Sequence, residues 1–453
     1  MKYLKILIVI ADIIVFALMV NYLPVDKAAA KGLGLLTFIG ILWLTEALNI
    51  TITALLVPVL AVLMGILTTN TAFVSFANTT IFLFFGGYAL ATAIHSQQLD
   101  SMIATKLINM ARGNFTLSVL GLFGTTVFMS MWVSNTVATA VMLPLAIGLL
   151  HSIDAVKYRR VYAFVILGIA YSSSVGGLGT SVSSPPNAIL VSQLNISFTD
   201  MFFYGFPILL ILFPFMFYTL YVVFNPELSI KFEKMQDDVK MNKQRWITLV
   251  IFTVVAIMWI FSKYINPLIS SFIGLKENIA AFDSVIAVIG AIILVTTKVT
   301  SWKEISDHTN WGLFYIFGGG ITLTLVLSQT GASKVLADSI VSLVDGSSYF
   351  IMGLMVALFA VFFTELATNV AVATLLIPLF ISIAQALGIP PLGLGLIIAF
   401  TVNCAFMLPV AGASNAMVYG TGYIKQSDMV KAGFILNIIS AVIISTFAYW
   451  FWL

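Results

Sequence analysis

Ser130-Met131-Trp132-Val133-Ser134-Asn135-Thr136, followed by an apolar run to Pro144, has a counterpart in Thr364-Glu365-Leu366-Ala367-Thr368-Asn369-Val370, followed by another run to Pro378. Both lie in segments apolar enough for a bilayer, where an unpaired amide is costly and is usually kept for function. A polar tripeptide at matching depth in two halves of a membrane protein points to a substrate site at an internal symmetry interface. The enclosing segments, 116–150 and 351–386, are too long for one helix and carry the tripeptide near the middle. Each is expected to be a re-entrant hairpin of two half-helices, tipped by Asn135 or Asn369. Irregular backbone at that depth is tolerated only inside protein or along a cavity.

The whole composition supports a membrane setting. Of 453 residues, 60% are apolar and 9% charged, against about 25% charged in soluble domains. Windows of about 20 apolar residues place spans near 4–23, 34–49, 52–68, 79–98, 158–195 (interrupted), 203–224, 246–263, 279–297, 311–330, 394–423 (interrupted) and 431–453. The fold class is therefore an all-α polytopic membrane protein with eleven crossings and two hairpins. Met1-Lys2-Tyr3-Leu4-Lys5 leads into an apolar stretch without a small-residue cleavage site, so the first helix is expected to be retained. With the N-terminus in the cytoplasm, sixteen Lys and Arg fall on the inner side and five on the outer, as the positive-inside rule requires. Arg112, Lys231 and Lys234 are among the sixteen. The expected location is a bacterial inner membrane, with the C-terminus external.

The two halves form an inverted repeat. Phe85-Gly86-Gly87 matches Phe317-Gly318-Gly319, and Asn78, Ser96-Gln97 and Ser101 match Asn310, Ser328-Gln329 and Ser333 at the same spacing. Asn187-Ala188 matches Asn415-Ala416. Small residues packed between helices would explain Gly86-Gly87 alone, but not the ordered series. The expected organisation is an extra helix over 1–33, repeats over 34–224 and 246–453, and a charged linker over 225–245. Five spans and one hairpin per half invert the second half, so the hairpins enter from opposite sides.

The polar residues suggest an anion site. Ser130 and Ser134, four apart, are expected to present both hydroxyls to the tip. Asn135 offers an acceptor and two donors, Thr136 a hydroxyl. Second hairpin arms begin here, aiming helix N-termini at the same place. Across from the first tip, Gly176-Gly177-Leu178-Gly179-Thr180 precedes Ser183-Ser184-Pro185-Pro186-Asn187. The prolines end one half-helix and suit the first turn of the next. Freed carbonyls suit a small hard cation and the new N-terminus an anion. In the second half Val370 lacks the hydroxyl of Thr136, and Leu408-Pro409-Val410-Ala411-Gly412-Ala413-Ser414-Asn415 lacks the double proline, leaving Gly412 to open the backbone. No Lys or Arg lies in either hairpin or break, which favours a co-bound cation. Glu46 and Glu365 are intramembrane acids whose expected role is bonding to neighbouring helix breaks, with proton or cation binding as the alternative. The three histidines show no metal-ligand spacing, and Cys404 is expected in the core.

These residues resemble the divalent anion/sodium symporter family of di- and tricarboxylate transporters. The likeness runs through Phe84-Phe85-Gly86-Gly87, the first Ser-Asn-Thr segment, Ser184-Pro185-Pro186-Asn187, Phe363-Thr364-Glu365 and Cys404-Ala405-Phe406-Met407-Leu408-Pro409. The resemblance implies a homodimeric elevator-type transporter for C4-type dicarboxylates, with Na+ as coupling ion and no other cofactor. Substrate would meet Asn135 and Thr136 with Ser184, Pro186 and Asn187 on one side. On the other it would meet Asn369 with Val370, Gly412 and Ser414. Sodium would be held by Ser130, Ser134, Asn135 and Ser183, and a second ion by Thr364, Thr368, Asn369 and Ala411. The departures at Val370 and Gly412-Ala413 leave sodium-independent exchange open. An anion channel is the reading from another class, and two opposed tips argue against it. No nucleophile–base pair or metal set suggests an enzyme.

Overall fold

The computed structural model describes residues 2–111, 113–151, 153–227, 240–344 and 349–452. Arg112, Lys231, Lys234 and much of the expected linker lie outside them. Among the described residues the chain is helical, with no β-strand. Among the described residues, eight helices are long and apolar enough to cross a membrane, and six shorter apolar helices accompany them. The chain is a multi-pass membrane protein. Side-chain caps set several helix starts. Asp26 accepts from the Ala28 N–H and starts the helix Lys27–Thr45, seven residues before the expected 34. The lysines at 27 and 31 had marked that turn as loop. Five short helices were not anticipated, Thr69–Val74, Leu99–Met110, Ser262–Phe272, Trp302–His308 and Ala332–Val344. None is apolar or long enough to register as a span by itself.

The order of elements recurs. Lys27–Thr45, Ile50–Leu63 and Thr80–Ser96 correspond in sequence to Lys243–Ile260, Phe282–Thr296 and Trp311–Gln329. The short helix Leu99–Met110 then corresponds to Ala332–Val344. Hairpin Phe115–Ser130/Asn135–Leu150 corresponds to Tyr349–Leu366/Asn369–Leu387. Broken helix Arg159–Gly176/Pro185–Leu194 corresponds to Pro391–Asn403/Ala413–Gly420, and Phe198–Phe224 to Gln426–Phe451.

Hydrogen bonds fix the relative directions. Gln97 Nε2 donates to the Val299 carbonyl at 2.8 Å, and Arg245 Nε to the Gln97 carbonyl at 2.8 Å. The end of Thr80–Ser96 therefore shares a face with the approach to Trp311–Gln329. The first hairpin follows from that face. The second follows Gln329, at the far end of its helix, so it enters from the opposite face. On that opposite face, Ser284 Oγ donates to the Thr79 carbonyl and Lys31 Nζ to the Met64 carbonyl, both at 2.8 Å.

Arg159–Gly176 forms the centre of the bundle. Every residue from Val161 to Gly176 is buried, as expected of a helix surrounded by others. It packs against both arms of the first hairpin and against Phe198–Phe224. The helix pair Thr80–Ser96 and Phe282–Thr296 approaches closely at Gly86, where an added Cβ would sit 2.4 Å from Ala287 Cβ and 2.6 Å from its Cα. Gly86→Ala is accordingly expected to push these helices apart and cost about 1–3 kcal/mol. The check is a lowered thermal unfolding midpoint in detergent. An unchanged midpoint would mean the pair is not closely packed.

Candidate functional site

The first hairpin turns over Met131–Ser134. Its entering helix stops at Ser130, and Ser134 caps the returning helix, accepting from the Val137 N–H at 3.4 Å. Ser130 and Ser134 therefore do not share a helical turn, contrary to the spacing argument. Ser134 is drawn instead to the free N–H groups of the new helix. Ser130 Oγ lies 2.8 Å from Asn135 Oδ1 and 2.7 Å from the Ser173 carbonyl, as their donor. Three oxygens from the hairpin and the central helix thus gather at one point, and Ser173 was not foreseen. Its only sequence signal was a place in the run Ser172-Ser173-Ser174.

The first helix break, 177–184, is stitched by side chains. Ser183 Oγ donates to the carbonyls of Gly177 and Thr180, each at 2.7 Å. Asn187 Nδ2 donates to the same two carbonyls, each at 2.9 Å. Ser183 has one proton to share between the two carbonyls and Asn187 two N–H groups, so three of the four lone pairs are met at any time and a cation would compete with these donors. Asn187 is fully buried and committed to this backbone, which leaves little of it to meet a substrate. Thr180 Oγ1 ties the break to the hairpin tip through the Met131 carbonyl. At Gly177 an added Cβ would lie 2.4 Å from Asn135 Oδ1. Only a glycine admits the Asn135 amide there.

The second site repeats the plan. Thr364 Oγ1 donates to Asn369 Oδ1 at 2.9 Å. Thr368 caps the returning helix and donates to Glu46 Oε1 at 3.1 Å. Glu46 ends the helix Lys27–Thr45. Asn415 Nδ2 donates to the carbonyls of Ala405 and Leu408 at 2.9 and 3.1 Å, as Asn187 does in the first half. Gly412 sits at φ −159° and ψ 153°, extended backbone open to any residue. The opening thus owes nothing to glycine's conformational freedom, contrary to expectation. Glu365 stabilises the second break earlier in the chain than the position of the missing prolines. Its carboxylate accepts from the Met407 and Leu408 N–H groups at 2.8 and 2.9 Å and from Asn437 Nδ2 at 2.7 Å. That is the helix-break bonding expected of it.

Both tips open on one cavity of about 1330 Å³. Asn135, Thr136, Pro186, Asn369, Val370, Gly412 and Ser414 line it, as do Ser134 and Thr368. Ser130, Ser183, Thr364 and Ala411 are fully buried behind that wall. Ser183 and Ser184 instead line a void of about 20 Å³ beside Trp132. Four half-helices begin at the cavity's edge, at Asn135, Pro185, Asn369 and Ala413. Their N-termini make it favourable to negative charge. The wall also holds residues that motif spacing could not place there, notably Asn403, Glu46 and Lys5. Lys5 donates from Nζ to the Glu46 carbonyl at 2.7 Å, so a basic group does reach the cavity, from the first helix. No cluster of three or more His, Cys, Asp or Glu exists among the described residues. The chemistry is that of an oxygen-rich, amide-lined pocket edged by helix N-termini, which favours negative charge.

Known proteins resemble this chain over most of its length. A family model described as the sodium:sulfate symporter transmembrane region matches residues 1–453. A Haemophilus influenzae protein named as an uncharacterized transporter is 53% identical, over 99% of this chain and 97% of its own. A sodium-dependent dicarboxylate transporter of Staphylococcus saprophyticus is 29% identical, over 96% of this chain and 89% of its own. The crystal structure of the Alcanivorax borkumensis YdaH transporter shares the fold, with a TM-score of 0.56 at 12% identity over 84% of this chain and 87% of that one.

The Glu365 contacts carry a stability prediction. Glu365→Ala orphans two backbone N–H groups and one amide, at about 1–3 kcal/mol for each buried group. It should lower unfolding stability in detergent by about 3 kcal/mol or more, and Glu365→Gln by less. Loss of transport in both variants with stability unchanged would contradict the structural role.

Proposed function

The chain belongs to the sodium:sulfate symporter family, and from that premise we propose that it carries small C4-type dicarboxylates across the membrane by sodium-coupled symport. It is a transporter, as its family and relatives are. The observation that carries the finer reading is the pair of asparagines, Asn135 and Asn369. Each has its side-chain oxygen held by a hydroxyl at 2.8 or 2.9 Å, and both line one cavity. Fixing the oxygens inward toward Ser130 and Thr364 leaves the amide N–H donors for ligand carboxylates. Two such amides on opposite walls suit a molecule with a carboxylate at each end. Four half-helix N-termini add positive potential without a fixed charge in either tip.

Sodium is the coupling ion in this reading. The oxygen group of Ser130, Asn135 and the Ser173 carbonyl supports one cation. Thr364 and Asn369 offer a thinner second set. A cation behind each amide would raise the affinity for a dianion, and a dianion would in turn hold the cation, since coupling between sites is reciprocal. Sodium-independent exchange remains the second reading. It is favoured by Val370, which lacks a hydroxyl, and by the carbonyls of Gly177 and Thr180 already accepting from Asn187 and sharing the Ser183 proton.

The remaining assignments follow the same reading. The repeats extend over 34–224 and 246–453, beyond an extra N-terminal segment 1–33, and are linked by 225–245. The charge bias puts the N-terminus, and with it the cavity mouth at Lys5, on the cytoplasmic side of a bacterial inner membrane. The C-terminus is then external. Transport proceeds in a homodimer by elevator movement of the hairpins and broken helices against the other helices.

Radiolabelled succinate uptake into proteoliposomes tests this. An inward sodium gradient should drive accumulation without internal anion. A requirement for preloaded succinate or α-ketoglutarate, with no sodium effect, would select exchange. Asn135→Ala should abolish uptake in protein that still folds. Gly177→Ala, which displaces the Asn135 amide by contact alone, should cut uptake by on the order of 100-fold, the scale of a 1 Å misplacement. Undiminished uptake in both variants would remove the site.

A further inference from the structure

The side chains that can carry charge on the wall of the central cavity are Lys5, Glu46, His95, Asp100 and His308. Lys5 is the one Lys or Arg of that wall among the described residues. Neither the sodium nor the carboxylate assignments use it. It stands in the opening turns of the first helix, Lys2–Tyr22, most of whose length is unburied. That helix packs antiparallel on Lys27–Thr45, with the rings of Phe16 and Phe38 5.4 Å apart. The antiparallel pairing carries Lys5 to the end of the second helix, where the cavity opens.

At that end Glu46 turns into the left-handed region, with φ 46°. The last carbonyls of a helix lack intrahelical partners and carry partial negative charge. Lys5 Nζ donates to the Glu46 carbonyl at 2.7 Å. A carbonyl holds the ammonium in place but does not neutralise it. Among the described residues no carboxylate lies within ion-pair distance of Lys5. The acids of the wall are engaged elsewhere. Glu46 Oε1 accepts from Thr368 at 3.1 Å, and Asp100 bonds His95 Nδ1 at 2.9 Å and the Ser101 N–H at 2.7 Å. His308 Nδ1 meets the Glu304 carbonyl at 2.8 Å. An ammonium has three donors. One is spent on Glu46, and Lys5 is exposed, so two remain for a ligand.

We propose that Lys5 is an entry contact for the cargo, whose ammonium draws a dianion to the cavity mouth and pairs with one carboxylate before the molecule reaches Asn135 and Asn369. The inference rests on the dicarboxylate reading of the cavity and adds a step on the way to that site. Glu46 and Asp100 make the contact necessary. Without Lys5 the mouth would present two carboxylates and no Lys or Arg to an incoming dianion. The competing account is that Lys5 only anchors the first helix, since a lysine at a helix C-terminus is favourable in itself. Salt separates the two. Attraction across the open mouth is screened, with a Debye length of about 10 Å at 0.1 M and about 3 Å at 1 M. Loss of an anchor would distort the mouth at either ionic strength.

The experiment is equilibrium exchange of radiolabelled succinate in proteoliposomes, with succinate and saturating sodium equal on both sides. Every cycle then loads the carrier through this mouth, whichever way the protein is inserted. Ionic strength is raised with choline chloride from about 0.1 M to about 1 M. At the lower value Lys5→Gln should raise the half-saturating succinate concentration roughly 3- to 10-fold, the effect of one unit charge on a dianion across about 5 Å of water. At the higher value the difference from the wild type should close. Lys5→Arg keeps the charge and should behave as the wild type at both. Lys5→Met, neutral and of similar length, gives the same comparison where Lys5→Gln fails to fold. The half-saturating concentration does not depend on how much variant protein inserts. An unchanged value in the neutral variants at the lower ionic strength would overturn the proposal. So would a rise of equal size at both ionic strengths, which would leave Lys5 as an anchor of the first helix alone. Absence of succinate exchange by the wild type is a separate outcome, which removes the dicarboxylate reading itself and this proposal with it.

Discussion

A bilayer offers an opened helix nothing to bond with, so every carbonyl and N–H released by a break must find a partner inside the protein. Both broken helices meet this constraint with the same device. An asparagine from the restarting half reaches back to two carbonyls, Asn187 to Gly177 and Thr180, and Asn415 to Ala405 and Leu408. The first break adds Ser183 and the second adds Glu365. Once the backbone is settled in this way, the following half-helices can begin at the cavity wall with their N-termini exposed to a ligand. A cavity edge made of helix N-termini is thus a by-product of how the breaks are stabilised.

The two halves solve one problem with different side chains. In the first, Pro185-Pro186 removes N–H groups that would need acceptors. In the second, Ala413-Ser414 stand at the matching positions, and a carboxylate instead receives N–H groups earlier in the break, those of Met407 and Leu408. Glu365 is itself held by Asn437 from the last helix, whose Oδ1 accepts from the Phe406 N–H. The second break is therefore tied to its hairpin and to the final helix at once. The first is tied to its hairpin through Thr180 and Met131. Each hairpin and its facing break form one bonded body, which suits a part that moves without rearranging its interior.

Much of this was legible in the sequence because it depends on local residue types. The hairpins announced themselves as over-long apolar segments with Asn135 and Asn369 near the middle. The first break was marked by Gly176-Gly177 and two prolines. The spacing of Ser130 and Asn135 matches that of Thr364 and Asn369 in the sequence, and the structure adds that each hydroxyl bonds its amide. What stayed hidden depends on contacts distant in the chain. Asn403 gives no local sign that it meets Ser184 and Asn187, 219 and 216 positions away. Lys5 belongs to a lipid-facing helix and reaches the cavity only through the end of the next one. Ser134 misled because four-residue spacing was taken as one turn, where a cap interrupts the helix. Gly412 misled because glycine was credited with an opening that extended backbone and a carboxylate provide.

Lys5 also bears on how the protein can be handled. The first helix is largely unburied along its length, yet its opening turn is fastened to Glu46 and stands on the cavity wall. The last helix starts on that same face, where Asp428 pairs with Arg159, and runs 26 residues to the other. A bulky fusion joined ahead of the first helix would stand at the mouth of this cavity. One joined beyond the last helix would hang from the opposite face.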